Sequence, residues 1–207
     1  GEAPGNTSGP TTPAAEGASI TIALGSEPTS LDPHIVDDGG ERAINDNIYE
    51  TLLARTPDGE LVPSLATELP TLVDDTTWEF KLRDDVTFHD GTAFNADAVV
   101  STVDRMIGLI AAEGTDNAGF FDTLTGATAV DEHTVQITTS GPDGVLPARM
   151  YWLKIVSPAD AAKDDLSDAP NGTGPYRFVG RETGVAIDLA ANPDYWGDTP
   201  PITEVTY

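Results

Sequence analysis

The stretch from Trp78 to Val100, WEFKLRDDVTFHDGTAFNADAVV, decides the architecture. It opens with Trp78, Phe80 and Leu82 alternating against Glu79, Lys81 and Arg83, the two-residue period of a strand with one face on a core and one in water. The alternation stops at His89-Asp90-Gly91. There a short Asp side chain can hold nearby amides and a Gly relieves the turn. Asn95 then suits an N-cap, worth roughly 1 kcal/mol, and Asp97 suits the positive end of a helix dipole. Val99, Val100, Val103, Met106, Ile107 and Ile110 follow at helical spacing and make one apolar stripe. Strand, turn and capped helix thus follow one another within a few residues, the local signature of a helix laid on a sheet.

Working outward, SITIAL at Ser19–Leu24 alternates Ile20, Ile22 and Leu24 and reads as a strand. Pro28 and Pro33 then fix the backbone and block helix. ERAINDNIYETLLA carries Ala43, Ile44, Ile48, Leu52 and Leu53 at helical spacing. VPSLATELPTL is loop-like with short helical potential, and HTVQITT turns Val135 and Ile137 inward. GVLPARMYWLKI is apolar and breaks at Pro147. SPADAAKDDL predicts a short helix capped by Ser157 with Pro158 at its first position. The last third, with YRFVG, VAIDLAA and ITEVTY, is strand-rich. Strands and helices mix without strict alternation, which predicts a mixed α/β domain rather than a barrel or a Rossmann unit. Residues 1–18 are dominated by Gly, Pro, Thr, Ser and Ala and read as a tether too poor in apolar surface to order itself.

The totals narrow the function. The 207 residues hold 10 Lys+Arg against 35 Asp+Glu, a formal net charge of −25. Such a surface repels nucleic acid and anionic headgroups, so no nucleic-acid partner is expected. The acids are spread along the chain, as on a solvated surface. With no Cys, disulfides and thiolate metal sites are excluded. No apolar run reaches the roughly 18 residues a membrane span needs.

Tests for chemistry mostly fail. His34, His89 and His133 show no metal-ligand spacing, and DDGGE at Asp37–Glu41 lacks that of a calcium loop, so no metal or cofactor is expected. No nucleophile elbow and no phosphate loop occurs. NGTGPY at Asn171–Tyr176 reads as a tight turn whose glycines supply positive φ, with close backbone approach to a partner domain or ligand as the alternative. Phe120-Phe121 and Tyr151-Trp152 are read as core by default, or else as the wall of a ligand cleft.

Several phrases together resemble one family: GSEPTSLDPH after a strand, NIYETLLA, the P-x-L-A-T run at Pro63–Thr67, the Trp78–Met106 stretch, NGTGPYRF and NPDYWG. They look like the peptide/nickel class, family 5, of extracellular solute-binding proteins that serve ABC importers. The resemblance implies a periplasmic-binding-protein-like fold (type II, cluster C). It implies main-lobe segments at 19–47 and 167–207, an inserted smaller α/β subdomain at 48–166, and a second, C-terminal lobe absent from this chain. It implies binding without catalysis and a monomer serving permease subunits. The expected cargo is an oligopeptide first, with a metal chelate or oligosaccharide as alternatives. It implies an extracellular setting with a lipid anchor ahead of the tether. It maps a ligand-pairing segment onto Asp37, Asp38 and Gly39 and cleft-wall positions onto Tyr151 and Trp152, with Phe120 a further wall candidate. A carboxylate-dependent hydrolase and a non-catalytic interaction module remain the alternatives from the residues themselves.

Overall fold

The computed structural model describes residues 17–36 and 38–207. Two four-stranded sheets and a small hairpin carry the chain. The first sheet is built from β1 (Ala18–Thr21), β8 (Tyr176–Glu182), β9 (Ala186–Ala191) and β10 (Ile202–Thr206), in the order β1-β10-β9-β8. The β1–β10 pair is parallel and the others antiparallel. The second sheet has the order β4-β5-β7-β6, from β4 (Thr71–Asp74), β5 (Thr77–Lys81), β6 (Leu124–Asp131) and β7 (Thr134–Thr139), all antiparallel. A hairpin pairs β2 (Leu53–Arg55) with β3 (Leu61–Pro63).

The stretch from Trp78 behaves as its pattern demands. β5 pairs with β7, setting Phe80 opposite Val135 and Trp78 opposite Ile137. The turn places Gly91 at φ 86°, and Asp90 Oδ1 accepts the Thr92 amide at 2.8 Å. Phe88 and Phe94 meet edge to face across it, ring centres 6.5 Å apart, both buried. Helix α2 (Ala96–Ala111) starts where Asn95 caps the Ala98 amide, and its Val99, Val103 and Met106 are buried.

Two hydrophobic cores result. One gathers Leu52, Phe80, Phe94, Val99, Val103, Ile137 and Ile155 beneath α2. The other gathers Leu31, Ile44, Ile48, Tyr49, Val156, Leu166 and Leu189 between helix α1 (Gly39–Ile48) and the first sheet. The chain passes from one to the other between Tyr49 and Leu52, and back between Ile155 and Val156. The short helices α3 (Ala118–Phe121) and α4 (Leu146–Arg149) add Phe121 and Leu146 to the first core; α5 (Pro158–Ala161) is capped by Ser157.

Three sequence expectations are corrected. The helical run expected to continue through Leu53 ends at Ile48, where Tyr49 turns extended (φ −113°, ψ 146°). Thr51 bridges to Lys154 and Ile155 donates to the Glu50 carbonyl, so tertiary pairing pulls the segment straight and Leu53 enters a strand. Pro147 does not break the apolar run: it occupies the first turn of α4, where its missing N–H costs nothing. The glycines of NGTGPY lack positive φ; among described residues Gly59, Gly91 and Gly184 have it. Gly172 and Gly174 are small because backbone runs against backbone. A Cβ on Gly172 would stand 2.0 Å from the Ile48 carbonyl oxygen, and one on Gly174 2.6 Å from that of Asn47. The Gly174 amide donates to the Ile48 oxygen at 2.9 Å, satisfying a carbonyl that the end of α1 leaves open.

Candidate functional site

The first turn of α1 begins the site. Asp38 is its N-cap, and Oδ1 accepts the amides of Gly40 at 2.8 Å and Glu41 at 3.5 Å. Its carboxyl is held below the usual carboxylate range, first by hydrogen bonding with the Glu41 side chain and then by the Gly40 amide. Gly39 is the first helical residue and is exposed. Asp37 lies outside the described residues. One turn along the helix, the Arg42 amide bonds the Asp38 carbonyl at 2.8 Å, and the Arg42 guanidinium carbon sits 3.7 Å from the centre of the Trp152 ring.

Tyr151 and Trp152 leave α4 in a turn closed by the Trp152 amide on the Arg149 carbonyl. Their rings meet edge to face at 5.1 Å. Phe120, from α3, stacks on Trp152 at 5.8 Å and stays 47% exposed, while its neighbour Phe121 is buried. Arg55, at the end of β2, reaches to 5.3 Å from the centre of the Tyr151 ring. The structure therefore gathers Phe120, Tyr151 and Trp152 into one half-open aromatic patch, joined to Asp38 and Gly39 through Arg42. Neither Arg42 nor Arg55 was singled out in the sequence. Their signal was present only as scarcity, two of ten basic residues in an acidic chain.

Two buried clusters were also missed. Asp32, fully buried, accepts Arg105 at 3.1 and 2.6 Å and the Leu166 amide at 3.1 Å. Arg105 also meets His34 Nδ1 at 2.8 Å, and His34 Nε2 faces the Lys154 carbonyl at 2.7 Å. A carbonyl only accepts and a guanidinium only donates. His34 is therefore neutral, with its proton on Nε2. Burial, chiefly, pushes its pKa down to about 4. In the second cluster the Glu50 carboxylate accepts Thr173 Oγ1 at 2.9 Å, Tyr195 OH at 2.9 Å and Trp196 Nε1 at 2.8 Å. Burial raises its carboxyl above the usual range against those donors. Arg83 lies over the Trp196 ring at 4.1 Å.

A groove of about 380 Å³ lies apart from the aromatic patch, between Thr21–Pro28 and the turn joining β8 to β9. Among the described residues no group of three or more His, Asp or Glu could hold a metal ion. No helix there is long and apolar enough to cross a membrane.

Two sheets, each with a helix packed over its core, form a mixed α/β fold, and comparison with solved structures identifies it as that of the periplasmic binding proteins. The chain superposes on AgaA in complex with agropinic acid with a TM-score of 0.83 at 27% identity, covering 92% of this chain and 39% of that one. It superposes on DppA from Helicobacter pylori in complex with the peptide STSA with a TM-score of 0.78 at 27% identity, covering 92% and 42%. The model for bacterial extracellular solute-binding proteins, family 5 Middle, matches residues 60–207, and the chain belongs to that family. Among curated relatives it is 36% identical to Protein XP55 of Streptomyces lividans over 91% of this chain and 34% of that one. It is 31% identical to the glutathione-binding protein GsiB of Pectobacterium atrosepticum over 90% and 37%. The chain thus spans about a third of the length of these curated relatives. The relatives are binding proteins rather than enzymes, and the family is extracellular or periplasmic.

Proposed function

We propose that this chain is the first lobe of the substrate-binding component of an ABC importer, capturing a peptide or similar small solute against a second lobe for delivery to permease subunits. The aromatic patch at the start of α1 carries the reading: Phe120 and Tyr151 belong to neither core, and Trp152, which lies against the first core, is only half-buried. Large rings left in reach of solvent beside polar groups suit a ligand wall. The cargo class follows from the relatives: GsiB is named for glutathione, DdpA for D,D-dipeptides, and the DppA structure holds a peptide. Asp38 and Gly39, with Asp37 before them, form the segment proposed to lie alongside the ligand backbone.

The two cores support an inserted unit that runs from about Leu52 to Ile155, inside the expected 48–166, because Ile48, Tyr49, Val156 and Leu166 pack with the main-lobe sheet. Residues 1–16, where the tether was expected, lie outside the described residues; display on the outer face of the membrane through a lipid anchor is part of the proposal. Radiolabelled palmitate appearing in the protein from cells of its source supports the anchor, and its absence refutes it. The chain acts as a non-catalytic monomer. Glu50, the acid whose carboxyl burial raises, is tied down by three donors and serves packing rather than proton transfer.

Calorimetry of the protein with its second lobe, titrated with di- and tripeptides, glutathione and Ni(L-His)2, tests the reading. Saturable binding of a peptide without turnover is expected. Heat from none of them, or hydrolysis lost on a single Asp→Asn change, overturns it.

A further inference from the structure

We propose that Lys154, through its ion pair with Asp46, is a positioning residue for the ligand wall: it fixes the register of the Tyr151–Trp152 turn along α1. This rests on the solute-binding reading and adds to it which residue outside the wall holds the rings in place.

Lys154 follows Trp152 by two residues, and its ammonium meets the Asp46 carboxylate of α1. The Lys154 side chain is 8% exposed and that of Asp46 44%. Taking an ammonium out of water is costly, and an apolar side chain of similar length would fill the space without that cost. A buried ion pair is therefore a weak source of stability, and its best-attested use is to fix register.

The geometry supplies a register to fix. Asp46 stands one helical turn beyond Arg42, whose guanidinium carbon lies 3.7 Å from the centre of the Trp152 ring. Four helical residues advance about 6 Å, and two extended residues about 6.6 Å. The Arg42–Trp152 and Asp46–Lys154 rungs thus keep step along the helix. One turn further, just past the helix end, the Glu50 carbonyl accepts the Ile155 amide at 2.9 Å. Of these three rungs the ion pair is the strictest. A ring can slide beneath a guanidinium, and one backbone bond leaves the segment free to tilt. A desolvated ammonium drawn away from its carboxylate is heavily penalised.

The backbone of Lys154 is held from the other side. Its carbonyl accepts His34 Nε2 at 2.7 Å, and the residue bridges to Thr51. Lys154 therefore joins the crossing segments to α1. The Tyr151 and Trp152 rings, 5.1 Å apart, move with it, and Phe120 rests on Trp152. Asp38 and Gly39, proposed to lie alongside the ligand, begin the same helix. The ion pair thereby sets the rings against that segment. Binding sites need such support to keep side chains within about 0.5 Å of their working places.

The test has two arms. In the first, the indole Nε1–H signals of the 15N-labelled chain are compared between variants. Lys154→Met, similar in length and uncharged, should move or broaden the Trp152 signal and leave that of Trp78, whose Nε1 donates to the Asp143 carbonyl at 3.0 Å. Asp46→Asn, at the more exposed partner, should do the same, and decides the matter if Lys154→Met fails to fold. A Trp152 signal that stays put, or a Trp78 signal that moves as far, overturns the inference. In the second, the protein with its second lobe is titrated with trialanine by calorimetry. Each variant should bind about tenfold more weakly, and Lys154→Arg, which keeps the charge, should recover most of the loss. Lys154→Met/Asp46→Asn should lose no more than the worse single variant, since both remove one contact. A lowered urea midpoint with trialanine affinity intact would make the pair merely structural and overturn the inference while the solute-binding reading stands. A parent that binds no trialanine removes the peptide reading, and the indole signals then decide the register claim alone.

Discussion

Replacing Gly172 by Ala tests how the first sheet is joined to α1. The added Cβ would lie 2.0 Å from the Ile48 carbonyl oxygen, 2.7 Å from its carbon and 2.9 Å from the Tyr49 Cα. All three are backbone atoms, so no side-chain rotation relieves the clash. The loop must withdraw by about 1 Å or more to restore an ordinary contact. On one side that lengthens the bond from the Gly174 amide to the Ile48 oxygen, now 2.9 Å. On the other it strains the bond from the His89 amide to the Gly172 oxygen, now 2.8 Å. Overpacking costs about 1–3 kcal/mol, and each hydrogen bond about 1 kcal/mol. The expected loss is about 3–5 kcal/mol, a fall in Tm of about 6–20 °C for a chain of this size. Gly180→Ala is the control, since nothing lies within 4 Å of its added Cβ. Thermal melts followed by circular dichroism decide the matter. A Gly172→Ala chain that melts within about 2 °C of the parent would refute the close-approach argument.

The remaining predictions address the buried clusters and the helix cap. His34 has a folded pKa of about 4 against an ordinary 6.5, so as pH falls the unfolded chain takes the proton first. Stability should drop between those values by about 3 kcal/mol through this group, read as the difference in urea midpoints between the parent and His34→Gln; a pH-independent difference sinks it. Burial also lowers the His89 pKa, so it acts in the same direction, while the raised Glu50 carboxyl opposes both. Asp32→Asn leaves the Arg105 guanidinium buried without its counter-charge and should cost about 3–5 kcal/mol in urea unfolding, and a cost under about 1 kcal/mol would show the pair to be dispensable. Asn95→Ala removes the α2 cap and should cost about 1 kcal/mol, with amides of the first turn exchanging faster; unchanged exchange there would count against it.

Where a segment's own period matches its surroundings, the sequence was readable. β5, the Asp90-Gly91 turn and the Asn95 cap all follow from side chains within a few residues of one another, and the second sheet accepts them as they stand. The run from Ile44 to Leu53 was misread because helical spacing records which residues are apolar and not which core they enter. Ile48 and Leu52 are both buried, yet they sit in different clusters, and the helix must end for the chain to cross between them. Gly172 looked like a turn residue because the backbone it approaches, the end of α1, is remote in the chain.

The same distance hid the cluster of Asp32 and His34 with Arg105, which lies 73 and 71 positions further along the chain and meets them only in space. Of the candidate site, the aromatic residues were legible by type, and their openness was not. Phe120 and Phe121 are adjacent and chemically identical, and α3 turns one to solvent and the other to the core. The arginines went unremarked because a lone basic residue in an acidic chain reads as a surface ion-pair partner. Their meaning comes from α1 and β2 delivering both to rings held by a third element. The proposed ligand wall depends on which elements meet, so a substitution that shifts α1 against the Tyr151–Trp152 turn is expected to change peptide affinity in calorimetry even when it touches none of these side chains.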